Sequence, residues 1–294
     1  MPMLDVGQGH TMYYETHGNP KGRPIVILHG GPGGGIMPQI KTLFDLKKWF
    51  VIQYDQRGCG KSLPRLQLKN NTTWHLVEDM ETLRKHLELE SWALYGGSWG
   101  TSLALAYASK HLERVTAFIL RGVCLFTDEE NTWMFEKGHA SEVFPKAWSN
   151  VTQMVRKDTR KLVGPYMKLL KSKKTRKVAA RAWTKYEHAL SYLVPKPFKA
   201  DPKSDEESAV LEAYYYKHNA WLTPELLLDA ARKISVPVIL VHGRYDMVCP
   251  ASSAFALKEV IPKAKLFLIP NAGHATLEPG IRRALKRELN RLVA

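Results

Sequence analysis

Residues 92–107 read WALYGGSWGTSLALAY, and this stretch decides the fold. The apolar run at its start predicts a buried strand, and the run LALAY at its end predicts a helix. Between them lies GGSWG (96–100), a G-x-S-x-G pattern with Ser98 at its centre. Small residues on both sides of a serine let a tight strand-to-helix turn close, and such a turn presents the hydroxyl above the sheet. We therefore predict a nucleophilic serine at position 98; the alternative is an ordinary glycine-rich turn without chemistry.

Short apolar runs alternate with helical patterns on both sides of this stretch. One helical pattern, between 74 and 89, places Leu76, Met80, Leu83 and Leu87 on one face. Buried strands that alternate with helices indicate a mostly parallel sheet covered on both faces, which is the α/β class. The predicted strands are PIVILH (24–29), FVIQYD (50–55), WALYGG (92–97), VTAFILRG (115–122), VPVILVHG (236–243) and KLFLIP (265–270).

The middle of the chain lacks this alternation. From about 124 to 230 the patterns are helical, and the α/β rhythm returns afterwards. A helical block inside an α/β pattern predicts an all-helical cap inserted into a discontinuous core. We assign residues 1–123 and 231–294 to the core and residues 124–230 to the cap. Inside the cap we expect a loop at PKPFKADPKSDEES (195–208).

The chain is strongly basic. Its 294 residues carry 43 Lys and Arg against 28 Asp and Glu, a formal net charge of +15. Most of the excess lies between 146 and 203, where 16 basic residues face 3 acidic ones. Three interpretations are open: a solvated lysine-rich surface, a preference for substrates with acidic residues, and nucleic-acid binding. The sequence lacks the interleaved aromatic residues of nucleic-acid modules, so we expect no nucleic-acid partner.

The sequence shows no pattern typical of export, of a membrane span or of a metal site. The start, MPMLDVGQGH, has neither the basic nor the apolar part of an export signal, and no stretch reads as a membrane span. The three cysteines, Cys59, Cys124 and Cys249, form no CxxC pattern and fit a reducing compartment. No metal-ligand spacing is present. We therefore expect a cytoplasmic protein without membrane contact, metal or cofactor.

A serine hydroxyl is a weak nucleophile, so it needs a base and an acid that orients the base. Asp246 follows one predicted strand in the string HGRYD, and His274 follows the next in NAGH. Each alone would be read as an ordinary loop residue. Together they give the chain order serine, acid, histidine of an elbow-type hydrolase. We therefore predict a triad of Ser98, Asp246 and His274.

The glycine-rich string HGGPGGG (29–35) closes the first long apolar strand. Hydrolases with a serine elbow build half of the oxyanion hole from this loop, because glycines let backbone N–H groups approach the developing charge. We assign the donors as the N–H groups of Gly31 and Trp99; the alternative for the loop is phosphate binding. The nearby string DQRGCGKS ends like a nucleotide-binding loop, but Asp55 stands where that motif requires glycine. We expect Asp55 and Arg57 to form a structural turn pair beside the site.

Taken together, seven strings resemble the prolyl iminopeptidases, a family of α/β-hydrolases. The resemblance runs from about Gly9 to Gly280 and is dense in the predicted core and sparse in the cap. It implies an α/β-hydrolase core with a helical cap, and a cofactor-free serine aminopeptidase that releases N-terminal proline from peptides. The strings are HGGPGGG, DQRGCGKS, NNTTW, GGSWGTSLALAYA, RVTAFILRG, HGRYDMVCP and AGHATLEPG.

The resemblance also implies roles for residues of the cap and its surroundings. Glu187 and Glu212 match the family's carboxylates that bind the free amine of the substrate, and two N–H donors of a prolyl ammonium suit two carboxylates. From the residues alone, Glu187 could equally pair with a neighbouring cation on a helix surface. The matching proline-pocket residues are Tyr216 and Cys249.

At two further pocket positions, where the family has aromatic residues, this chain has Cys124 and Met134. Softer or smaller walls predict a roomier pocket and relaxed selectivity for proline. An esterase or amidase that needs no free amine is the alternative function. We expect a peptide substrate with a free N-terminal proline, and we favour a monomer.

Overall fold

A single eight-stranded sheet forms the centre of the computed structural model, which describes residues 2–156 and 159–294. The strands lie side by side in the order β1-β2-β4-β3-β5-β6-β7-β8. From β3 onwards neighbouring strands are parallel, whereas β1 and β2 are antiparallel to their neighbours. The strands are β1 (Met3–Asp5), β2 (Thr11–Gly18), β3 (Arg23–Leu28), β4 (Trp49–Tyr54), β5 (Trp92–Gly97), β6 (Val115–Arg121), β7 (Val238–Gly243) and β8 (Lys265–Ile269).

The α/β-hydrolase architecture expected from the sequence is confirmed, and the six predicted strands correspond to β3 to β8. The strands β1 and β2 were not predicted, because these antiparallel strands at the edge of the sheet are partly exposed and mix polar with apolar residues. The strands β5 and β7 are buried along their whole length, as continuous apolar runs at the centre of a parallel sheet should be.

Eleven α-helices lie within the described residues. Apolar side chains of α1, α2, α9 and α10 pack on one face of the sheet, and those of α11 pack on the other. The helices are α1 (Thr73–His86), α2 (Trp99–His111), α3 (Asp128–Phe135), α4 (Ala140–Val143), α5 (Pro145–Thr152), α6 (Val163–Lys171), α7 (Arg176–Ser191), α8 (Pro202–Lys217), α9 (Pro224–Arg232), α10 (Ala251–Val260) and α11 (Pro279–Arg291).

The chain between β6 and β7 forms the helices α3 to α9. Helix α7 packs against both α5 and α8, while α9 packs against α2 and α10 beside the sheet. We therefore propose that the cap ends near Leu222 and that α9 belongs to the core.

The expected loop at 195–208 is wrong in its second half. Helix α8 already begins at Pro202, and the side chain of Asp201 accepts hydrogen bonds from the backbone N–H groups of Lys203 and Ser204. An aspartate followed by proline is a helix-start signal, since the aspartate caps free N–H groups and proline needs no donor at the first helical position. This signal was available in the sequence.

Asp55 and Arg57 do not pair with each other. Asp55 accepts hydrogen bonds from the backbone N–H groups of Ile36 and Lys61, at 2.7 and 2.8 Å. Arg57 instead forms a buried two-point ion pair with Asp79 of α1, at 2.7 and 2.6 Å. Both residues are structural, but Asp55 fixes its own turn while Arg57 ties that turn to α1.

None of the helices in the described parts of the chain combines the length and the apolar character that crossing a bilayer requires.

Candidate active site

Ser98 lies on a sharp turn between β5 and α2. Its backbone has φ +57° and ψ −126°, a conformation that non-glycine residues rarely adopt. Glycine is required on both sides, because a Cβ at Gly96 would overlap the carbonyl of Gly100, and a Cβ at Gly100 would overlap that of Leu28. The turn therefore holds a strained serine at the carboxyl edge of the sheet, as the G-x-S-x-G pattern predicts.

Asp246 and His274 follow β7 and β8 and meet at the same edge. Nδ1 of His274 lies 2.7 Å from Oδ2 of Asp246, and Oδ1 accepts the N–H groups of Val248 and Cys249 at 3.0 and 2.8 Å. Burial acts to raise the pKa of Asp246, but the His274 ring and the N–H donor of Cys249 outweigh it and hold the pKa below its ordinary value. This carboxylate is therefore an acceptor that orients the imidazole.

The other imidazole nitrogen faces a residue that the sequence analysis missed. NH1 of Arg121, the last residue of β6, lies 3.2 Å from Nε2 of His274 and donates to the His274 carbonyl at 2.8 Å. Burial lowers the pKa of His274, Asp246 opposes this, and the positive charge of Arg121 lowers the pKa further. His274 is therefore held in its neutral form, which is the form a general base requires.

Ser98 and His274 line one cavity, but no hydrogen bond joins their side chains among the described residues. Serine–histidine contacts in substrate-free enzymes are often long and tighten when substrate binds. A charged residue at the end of the apolar run FILRG was the available sequence signal for Arg121.

The predicted oxyanion loop lies against the serine. A Cβ at Gly30 would stand 3.2 Å from Cβ of Ser98, and Gly31, with φ +110°, lines the same cavity as Ser98. Trp99 is the first residue of α2, where backbone N–H groups have no partner inside the helix. The Trp99 ring is fixed by a 2.9 Å bond from its indole N–H to Oε1 of Gln56.

The helices α7 and α8 bring Glu187 and Glu212 together, close enough for each carboxyl group to affect the pKa of the other. Glu187 lines the cavity with Ser98 and remains partly exposed. Glu212 is 1% exposed and accepts a 2.6 Å hydrogen bond from the indole of Trp183. Burial raises the pKa of both carboxyls, and the Glu187 charge raises that of Glu212 further. The pair therefore favours one shared proton, with Glu212 as the neutral acid.

The predicted proline-pocket residues also converge. Tyr216 stacks on Phe126 with ring centroids 5.0 Å apart, and its environment includes Cys124, Cys249 and Glu212. The neighbouring Cys124 thiol and burial raise the pKa of the Cys249 thiol, while Sγ of Cys124 donates to Oε2 of Glu130 at 3.9 Å.

Met134, the other departure from the family pattern, is 1% exposed. Its carbonyl accepts a 2.9 Å hydrogen bond from the hydroxyl of Tyr186.

His242 is a further residue that the sequence analysis did not identify. Its Nδ1 accepts from the N–H of Val123 at 3.1 Å, and its Nε2 contacts the carbonyl of Cys249 at 2.8 Å and Oδ2 of Asp246 at 3.4 Å. These contacts hold the loop that carries Asp246 and Cys249 in place. Within the residues that the structure describes, no group of three or more His, Cys, Asp and Glu side chains is arranged to hold a metal ion.

Comparison with known proteins gives a consistent assignment. Residues 23–280 match the model of the alpha/beta hydrolase fold family. Proline iminopeptidase from Xylella fastidiosa (strain Temecula1) is 41% identical over 286 residues, which cover 94% of this chain and 91% of the relative. Proline iminopeptidase from Arabidopsis thaliana is 40% identical over 288 residues, covering 95% and 76%.

Among solved structures, an alpha/beta fold family hydrolase from Bacillus anthracis superposes with a TM-score of 0.66 at 17% identity, covering 99% of this chain and 98% of that one. This likeness concerns the fold.

Proposed function

The chain belongs to the proline iminopeptidase family of α/β-hydrolases, and from this premise we propose that it is a serine aminopeptidase that releases N-terminal proline from peptides. One observation carries the proposal for this chain's own residues. The strained Ser98, the His274 that is oriented by Asp246, and the carboxylate of Glu187 all border one cavity. A nucleophile, a base and an amine-binding group are therefore within one substrate's length of each other.

The proposed reaction has two steps. His274 takes the proton of the Ser98 hydroxyl, which attacks the carbonyl of the first residue, and the N–H groups of Gly31 and Trp99 stabilise the oxyanion. His274, held by Asp246, then protonates the departing amine. Water hydrolyses the resulting ester by the same route.

Recognition of the free amine is assigned to the carboxyl pair. With one shared proton the pair carries a single negative charge, which balances the single positive charge of a prolyl ammonium. Two carboxyl groups also offer acceptors for both N–H bonds of that ammonium. Glu212 is buried while Glu187 is partly exposed at the cavity, so water competes weakly for the bonds that Glu212 makes.

We assign the proline ring to the region of Tyr216 and Cys249. The rings of Phe126 and Phe135 pack on Tyr216, with centroids 5.0 and 4.4 Å away, and make this wall apolar and rigid. Cys124 adds a small, polarisable side chain to it, which supports relaxed selectivity among small first residues.

The test compares proline β-naphthylamide with its N-blocked form, using wild type and Ser98→Ala. We expect turnover of the free-amine substrate alone and its loss in Ser98→Ala. Thr42→Ala, a substitution of an exposed hydroxyl outside the site, is the matched control and should retain activity. Equal turnover of the blocked substrate would favour the esterase or amidase alternative instead.

The cytoplasmic location and the monomeric state expected from the sequence stay predictions.

A further inference from the structure

Arg121 carries a buried charge without a carboxylate partner. It is 7% exposed, and none of the ion pairs among residues 2–156 and 159–294 involves it. Its NH1 donates to the carbonyl of His274 and faces Nε2 of the same residue, and its Nε has no hydrogen-bond partner in the same described ranges. A guanidinium is costly to bury without a counterion, so this position indicates a site where an anion arrives from outside.

The guanidinium borders a small cavity. This cavity has a volume of about 170 Å³ and is lined by Ser98, His274, Glu187 and Arg121, among other residues. Pockets for drug-sized ligands have about 300–1,000 Å³, so the space suits a small group rather than a long chain. The hydroxyl-bearing side chains of Tyr95 and Thr276 line it as well.

The distance between Arg121 and the proposed base, His274, indicates which small group the guanidinium would bind. In the proposed reaction the leaving amine receives its proton from Nε2 of His274, which requires a separation of about 2.6–3.2 Å. NH1 of Arg121 lies 3.2 Å from the same nitrogen. The carboxyl carbon of a free amino acid is only two bonds from its amine nitrogen, so the carboxylate of such a leaving group falls within reach of the guanidinium.

We propose that Arg121 binds the C-terminal carboxylate of dipeptide substrates, so that the enzyme prefers dipeptides with a free carboxyl end over peptides that continue or are capped. The proposal rests on the proposed function, since it concerns the leaving side of the same reaction. Glu187 and Arg121 then bind opposite charges of one dipeptide zwitterion from the same cavity. Guanidinium and carboxylate form charge-assisted bonds that are stronger than neutral ones.

Carboxylate binding also changes the base. The NH1 group of Arg121 faces Nε2 of His274, the nitrogen that must accept the Ser98 proton. A carboxylate that draws the guanidinium toward itself leaves that lone pair for the serine. The preference therefore affects kcat as well as KM.

The experiment compares Pro-Ala with Pro-Ala-NH2, two peptides that differ only in the terminal charge, with proline β-naphthylamide alongside. For wild type we expect kcat/KM to be at least tenfold higher for Pro-Ala. A ratio near one, or cleavage of the naphthylamide without cleavage of either peptide, would overturn the proposal and leave the aminopeptidase intact. Failure to cleave all three compounds would instead remove the proposed function, and the proposal with it.

Variants separate this role from a structural one, because a ratio measured on one protein does not depend on the folded fraction. Arg121→Met should bring the ratio close to one, and Arg121→Lys should retain part of it. Lys61→Met is the matched control: it removes an exposed cation that does not line this cavity, and it should keep the wild-type ratio. An unchanged ratio in Arg121→Met, or a lowered one in Lys61→Met, would contradict the assignment.

Discussion

Oδ2 of Asp246 lies 2.7 Å from Nδ1 of His274, while Oδ1 of the same carboxylate accepts two backbone N–H groups. The backbone donors fix which oxygen faces the histidine. The carboxylate thereby selects the imidazole tautomer that carries its proton on Nδ1 and leaves Nε2 unprotonated, as a base requires.

The first prediction concerns Asp246→Asn. The backbone donors will hold the amide oxygen, so the amide NH2 faces Nδ1 and enforces the wrong tautomer. We expect kcat on proline β-naphthylamide to fall by about 10,000-fold, with the fold retained. Asp229→Asn, at an exposed position where the wild-type residue pairs with Arg232 on α9, is the control and should be active. A loss below tenfold in Asp246→Asn would argue against this acid.

The second prediction distinguishes the two cap carboxyls. Glu187→Gln removes the single negative charge and should raise KM by about 10- to 100-fold, as loss of charged hydrogen bonds costs about 1.5–3 kcal/mol. Glu212→Gln replaces a neutral acid by a neutral amide that can still accept from Trp183, so we expect a change below about tenfold. Steady-state kinetics on proline β-naphthylamide test this. Equal losses in the two variants would contradict the distinction, and a larger loss in Glu212→Gln would reverse our order of protonation.

The third prediction concerns Gly122, which follows β6. Its φ is +57°, and a Cβ there would lie 2.9 Å from Cε1 of His274. Gly122→Ala should therefore displace the imidazole and lower kcat by about 100-fold, since a displacement of about 1 Å is enough for such a loss. Gly164→Ala, in a helix with no atom close to the new Cβ, is the control. Comparable kcat values for the two variants would show that the ring tolerates the methyl group.

The fourth prediction links pH to stability through Glu81 in α1. Arg84 and the hydroxyl of Tyr107 bind this carboxylate and lower its pKa from 4.5 to about 2, against the effect of burial. A depressed folded-state pKa contributes stability above pH 4.5, and this contribution is lost as the pH falls through about 2. Glu81→Gln should lower the free energy of unfolding by about 1–3 kcal/mol at pH 7.

Urea unfolding of wild type and Glu81→Gln at pH 7 and pH 3 measures this effect. The difference between the two proteins should shrink at the lower pH. Glu88→Gln, at a more exposed position after the same helix, should show little difference at either pH. A Glu81→Gln difference that grows on acidification would have the wrong sign.

The fifth prediction concerns selectivity. Because Cys124 stands beside Cys249 and Tyr216, we expect alanine and hydroxyproline β-naphthylamides to be cleaved within about a thousandfold of the proline compound. Measurement of kcat/KM for the three substrates tests it. A preference for proline above a thousandfold would mean that the pocket excludes other first residues despite the small side chain of Cys124.

The sequence by itself determined the architecture and the chemistry-bearing residues that follow strands. Buried strands of a parallel sheet have continuous apolar runs, which made β5 and β7 predictable, and the edge strand β8 has such a run as well. The G-x-S-x-G pattern located Ser98 because only small residues permit that turn. Asp246 and His274 were found by their order after the last two strands. The start of α8 could also have been predicted from Asp201 and Pro202, although we expected a loop there.

Tertiary structure alone decided the partners. Arg57 pairs with Asp79, 22 residues away, rather than with its neighbour Asp55, and Arg121 contacts His274, 153 residues away. The raised pKa values of Glu187 and Glu212 likewise depend on how α7 packs against α8. Local sequence patterns indicate which face of a strand or helix is buried. Which charges surround a buried group is decided only when distant segments pack together. The pKa values of the site and the burial of Arg121 without a carboxylate partner therefore could not be predicted from the sequence.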